Sequence, residues 1–170
     1  MTRSLTPEQI QRIEYLACDE WVVDTGAADD EAKTWHNFTN TLQRMSSVEL
    51  HHFACNFNWD CGVQELAAVI DHPECDAGTA QMIYWLGQPA EHYRMETRGN
   101  LTPDVTTVVD LLRRIESKLQ NNSFSNKRIA CDPSNIMGQP MTMGSERDRA
   151  VVPEFMFRKT DGMEIEPHMC

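Results

Sequence analysis

The chain has 170 residues, 41% of them hydrophobic, with Asp and Glu outnumbering Lys and Arg 26 to 15. The length supports one substantial core and forces no second. The first twenty residues alternate apolar and charged groups, and no later segment reaches the roughly 18 apolar residues of a membrane span, so neither a signal peptide nor a membrane segment is expected and the protein is read as cytoplasmic.

In chain order, Thr6-Pro7-Glu8-Gln9 supplies an N-cap, a first-turn proline and a capping-box glutamine. Ile10, Ile13, Leu16, Ala17 and Trp21 follow at helical spacing and predict a helix to about residue 23. A second helix is expected after Asp29-Asp30-Glu31, with Trp35, Phe38, Leu42 and Met45 on its apolar side. Ser46-Ser47 ends it and caps a short third helix through His51, His52 and Cys55. Asp60 is read as the N-cap of a fourth helix with Val63, Leu66, Ala67 and Ile70 buried, stopped by His72-Pro73. Asp76 repeats the arrangement for a fifth helix, in which Ala80, Ile83, Tyr84 and Leu86 pack inward and Gly87 provides a left-handed exit before Pro89.

Residues 90–98 add a further turn or two, and Thr102-Pro103 opens a long helix with the stripe Val105, Val108, Val109, Leu112, Ile115 and Leu119. Beyond Asn121-Asn122 the prolines and glycines at 133, 138, 140, 144 and 153 interrupt every period. For residues 154–166 two readings stay open. Either Asp161-Gly162 turns a hairpin, or Val152-Pro153-Glu154 opens a short helix closed by Gly162, the latter being preferred. The expected fold is mainly α: a single domain over 1–170, with a bundle of about six short helices in 1–122 and an irregular segment, 123–170, packed on it.

The densest run of polar groups is LHHFACNFNWDCG, residues 50–62. His51 and Cys55 stand four apart on a predicted helix, with His52, Asp60 and Cys61 nearby, a pattern compatible with metal ligands. A zinc centre needs three or four converging ligands, and the spacing demands no such set. Half-buried His and Cys in a core explain the same residues, so no metal and no cofactor are assigned. The six cysteines form no CxxC pair and are read as thiols. No local pattern matches a nucleophile elbow or a phosphate-cradling glycine loop, and no catalytic residue is assigned. Asn56 and Asn58 suit a loop that bonds to its own chain, and Trp59 an anchor holding that loop against the fourth and fifth helices.

Leu50-His51-x-Phe53-Ala54-x-Asn56-x-Asn58-Trp59-Asp60, followed by Cys75-Asp76-x-Gly78-Thr79-Ala80 and Trp85-Leu86, resembles the core motif of a small bacterial domain of unknown function. In that domain an Asn-Trp-Asp loop precedes one helix and a Cys-Asp-x-Gly-Thr-Ala turn opens the next. The resemblance covers about residues 47–120. It implies a structural signature at Asn58, Trp59, Asp60, Cys75, Asp76 and Thr79 and carries no catalytic role.

Charge is the stronger functional lead. Residues 1–93 hold 15 acidic and 4 basic side chains, residues 94–170 hold 11 of each, and no Lys or Arg lies between Arg44 and Arg94. One-signed charge disfavours nucleic acid and anionic membrane and favours a basic protein partner. By analogy with immunity proteins of similar size and acidity, the expected function is neutralisation of a secreted antibacterial toxin. Asp19, Glu20, Asp24, Asp29, Asp30 and Glu31 are the expected steering charges, with Trp21 and Trp35 as anchors. The alternatives are a metal-assisted hydrolase using His51, His52, Cys55 and Asp60, and a non-catalytic adaptor or regulatory domain.

Overall fold

The capping box at Thr6 forms as its residue types dictate: the Thr6 hydroxyl accepts from the Gln9 N–H while the Gln9 side chain returns to the Thr6 N–H. It opens α1 (Pro7–Ala17). The computed structural model describes residues 5–18, 31–142 and 149–166. Within them follow α2 (Glu31–Leu42), α3 (Ser47–Cys55), a 3-10 turn (Trp59–Cys61), α4 (Gln64–Asp71), α5 (Ala77–Leu86), α6 (Pro89–Thr97), α7 (Pro103–Gln120) and a second 3-10 turn (Glu154–Phe157). The fold is mainly α. Among the described residues, pairing of extended chain is confined to isolated bridges, and no helix is long and apolar enough to cross a membrane.

α5 is the centre of the bundle. Every residue from Ala77 to Trp85 is buried, as in a helix surrounded on all sides, with Thr79 and Gln81 as its buried polar groups. It packs against α3 on one side and α7 on another; α1 lies on α3, and α6 on α7. A single core cluster runs from Ile13 in α1 to Met156 in the C-terminal segment.

Two buried carboxylates stitch the helices together. Glu49 completes the Ser46 capping box of α3 and pairs with Arg12 of α1 at 2.7 Å. Burial alone would raise its pKa, but the Ser46 hydroxyl and N–H and the Arg12 guanidinium together hold it below the ordinary value. Glu116 of α7 accepts hydrogen bonds from the hydroxyls of Tyr84 and Tyr93, both at 2.7 Å, on one oxygen. Arg113 meets its other oxygen at 3.6 Å and lies over the Tyr93 ring at 4.3 Å. α5, α6 and α7 are thereby joined by charge-assisted bonds inside a low-dielectric core.

Four local expectations are corrected. α1 ends at Ala17, with Cys18 as its cap, where residue 23 was expected; the spacing of apolar residues had run past the last intrahelical bond, from the Cys18 N–H to the Glu14 carbonyl. Asp60 does not cap the fourth helix. It lies exposed in the 3-10 turn, Gly62 at φ 97° breaks the chain after it, and α4 starts from Val63 with no side-chain cap. Gly87 is not left-handed (φ −73°), and the left-handed residue is Gln88 at φ 51°. Gly87 sits in a tight place instead, since a Cβ there would lie 3.0 Å from both Leu112 Cδ2 and Trp59 Cη2, which would have to give way by a few tenths of an ångström. Residues 154–166 form neither a hairpin nor a helix reaching Gly162: after the 3-10 turn, Thr160 and Met163 bridge to Cys131 and Ile129.

Candidate functional site

The Cys-Asp-x-Gly-Thr-Ala stretch is where the C-terminal segment attaches. Asp76 is fully buried. Its Oδ1 accepts from the Gly78 N–H at 2.9 Å, capping α5, and from the Ile129 N–H at 3.3 Å, while Oδ2 accepts from the Arg128 N–H at 2.7 Å. Ala77 donates its N–H to the Asn126 carbonyl at 3.0 Å. Gly78 must lack a side chain, because a Cβ there would overlap the Ile129 carbonyl. One turn further along α5, the Gln81 amide donates to the carbonyls of Met156 and Arg158 at 2.9 and 2.6 Å, and the Trp85 indole donates to that of Met156 at 3.1 Å. One edge of α5 thus grips the main chain of residues 126–129 and 156–158, with little regard to their side chains.

Between α3, α5 and this segment lies a cavity of about 300 Å³. His51 and Cys55 come from α3, Met82 from α5, and Cys131, Asp132, Ile136, Met137, Lys159, Glu164 and Glu166 from the C-terminal segment. The i, i+4 spacing of His51 and Cys55 does place both on one face, and that face meets the cavity. His51 is 5% exposed, and its Nδ1 lies 3.0 Å from the Thr79 hydroxyl. Burial, aided by neighbouring His52, lowers its pKa to about 4, so the ring is neutral at physiological pH. Burial likewise pushes the thiols of Cys55 and Cys131 up to about 12. At neutral pH only about one thiol in 10⁵ at such a pKa is ionised. The Cys55 thiol lies 3.5 Å from the Met82 thioether. This is a soft, uncharged floor, poorly suited to nucleophilic attack or to proton transfer near pH 7.

His52 is buried and Asp60 exposed, and neither lines the cavity. Among the described residues no group of three His, Cys, Asp or Glu side chains is placed to hold a metal ion. The four residues of the hydrolase reading therefore do not converge. The Asn-Trp-Asp loop bonds to its own chain: Asn56 donates to the His52 carbonyl at 2.8 Å and Asn58 accepts from the Asp60 N–H at 3.1 Å. Trp59 is half-buried against Phe57 at 6.1 Å and Gly87. Cys75 is buried beside Asp76, its pKa raised to about 12 chiefly by burial.

Of the expected steering residues, Asp19, Glu20, Trp21, Asp24, Asp29 and Asp30 lie outside the described residues, and Glu31 begins α2. Trp35 is half-buried and stacks on Phe38 at 5.1 Å. The region without Lys or Arg borrows them from elsewhere in the chain: Glu49 takes Arg12, and Asp71 takes Arg114 and Lys118. With Asp76 satisfied by N–H groups, the acidity that faces solvent there is smaller than the composition suggests; Asp60, Glu74 and Glu91 are exposed. Sequence reasoning missed the C-terminal half of the cavity. Its one local signal was the Met137-Gly138 pair in a proline- and glycine-rich stretch; Cys131, Lys159, Glu164 and Glu166 carry no motif.

No curated protein and no solved structure matches the chain. Over residues 45–120, from just before α3 to the end of α7, the chain is similar to a domain of unknown function (DUF4274), whose family model matches that span.

Proposed function

We propose that the chain is an acidic cytoplasmic binding protein, an immunity protein that occludes a cognate secreted antibacterial toxin. The observation that carries this reading is that the whole net charge of −11 falls in residues 1–93. A basic toxin such as a nuclease, built to hold a polyanion, would be drawn to the carboxylates of that excess left unpaired and blocked by them. The cavity adds support from the chemical side. Its imidazole is neutral and its thiols are protonated at pH 7, which suits a binding surface better than a reaction centre.

The test is capture with the full chain from its native host, followed by identification of the bound protein. A secreted basic toxin supports the reading, and a metabolic enzyme overturns it. With the partner in hand, reversing Asp29, Asp30 and Glu31 together is expected to slow association about ten-fold at low salt and flatten its salt dependence. An unchanged on-rate removes that patch from the docking face.

A further inference from the structure

The cavity beside His51 has a closed floor and an open rim. His51, Met82, Cys131 and Ile136 are buried, whereas Glu164 and Glu166, on the same lining, are exposed. Lys159, also on the lining, is committed to Asp132 at 3.5 Å. Glu164 and Glu166 have no basic partner among the described residues, so the rim is negative beside an apolar floor of thiol, thioether and isoleucine.

Met137 gives a second, independent mark. It is 38% exposed and, with Leu101, one of two large hydrophobic side chains left exposed among the described residues. Its backbone is left-handed at φ 51°, and Gly138 follows at φ 78°. Ile136 and Gln139 exchange N–H···O bonds of 2.9 and 2.8 Å across this pair. Such a two-residue turn ordinarily takes Asn-Gly, since both central residues need positive φ. A methionine there accepts backbone strain and places an adaptable apolar side chain at the cavity, a combination found at binding surfaces.

We infer that this cavity receives an arginine or lysine side chain of the partner, its methylene stem against Met137 and Ile136 and its cation beside Glu164 and Glu166. Long basic side chains bury their stems on apolar surface and keep the charged head at a wet rim, the division of floor and rim found here. A volume of about 300 Å³ suits one inserted side chain, being at the lower bound of small-molecule sites. The inference rests on the proposal that the partner is basic, and it names where such a partner places an anchor.

The probe is N-acetyl-arginine methylamide, titrated into the full chain carrying labelled methionine methyls, with the neutral citrulline analogue as control. The expected result is saturable binding, roughly millimolar for a lone side chain, that shifts the Met82 and Met137 methyls. Binding is expected to weaken about five-fold or more in Glu164→Gln/Glu166→Gln, since exposed carboxylates act through charge. Unsaturable shifts, equal binding of the citrulline analogue, or unchanged affinity in the double variant would overturn it; circular dichroism of the variant checks that it is folded. Should the arginine probe fail while a basic toxin is captured, the anchor is wrong and the immunity reading stands. Should the probe bind while the captured partner is a metabolic enzyme, the immunity reading falls and the cationic subsite remains.

Discussion

The turns at Asp60 and at Asp76 each place an aspartate before a helix of the core, and they carry different loads. At Asp60 the carboxylate is exposed in a 3-10 turn, and Asn58 supplies the side-chain acceptor for the local N–H. At Asp76 the carboxylate is fully buried and accepts from one N–H of its own helix and two of a distant segment. What separates them is the C-terminal segment. Where a strand of main chain arrives with unsatisfied donors, a capping aspartate becomes a clip; where none arrives, the same residue type stays in water.

The sharpest test of that contrast is deletion of the clip. Asp76→Ala is expected to destabilise the protein by on the order of 4 kcal/mol, because it removes a helix cap and strands buried N–H groups. Urea denaturation measures the loss. Hydrogen exchange should show residues 126–131 opening first; a loss below about 1 kcal/mol would mean that Asp76 is a cap and nothing more.

Acid should loosen the same side of the molecule through His51, which bonds to Thr79 of α5. Its folded pKa is lowered from 6.5 to about 4, so the unfolded chain takes up a proton first as pH falls. Stability from this residue is full above pH 6.5 and declines toward pH 4, by about 3 kcal/mol. His51→Gln should flatten that slope in stability measured against pH, and an unchanged slope would assign it to other groups. Glu49, whose folded pKa lies below the ordinary 4.5, adds a separate decline only as pH falls below about 4.5.

Gly78→Ala probes the close approach instead of the charge. A Cβ against the Ile129 carbonyl should cost about 2 kcal/mol by displacing the segment, read as a fall in thermal midpoint with α5 helicity kept. Asp60→Ala, the matched control, should change stability by less than about 0.5 kcal/mol. A loss as large as that of Asp76→Ala would abolish the distinction between the two turns.

Local chemistry explains why much of the bundle was readable. Thr6, Ser46, Asp76 and Thr102 all cap helices in the way their residue types demand, with Pro7 and Pro103 in first turns. The resemblance read over about 47–120 agrees with the matched span of 45–120. The cavity was half legible. His51 and Cys55 declared themselves by spacing, but their facing wall is fixed by hydrogen bonds that Asp76 accepts from main-chain N–H groups and that Gln81 and Trp85 donate to a main-chain carbonyl, and main chain has no sequence signature.

The amino-acid sequence by itself determined the helical class, the caps at Thr6, Ser46, Asp76 and Thr102, the amphipathic stripes and the net charge, because each depends on neighbours within a turn or two or on composition alone. Tertiary structure alone decided that Asp76 is a clip and Asp60 is not. It also decided that Arg114 and Lys118 neutralise Asp71, and that His51 faces Met137 and Glu164 across one cavity. Those outcomes depend on which distant groups arrive, and burial then sets their worth by removing the water that would otherwise satisfy them.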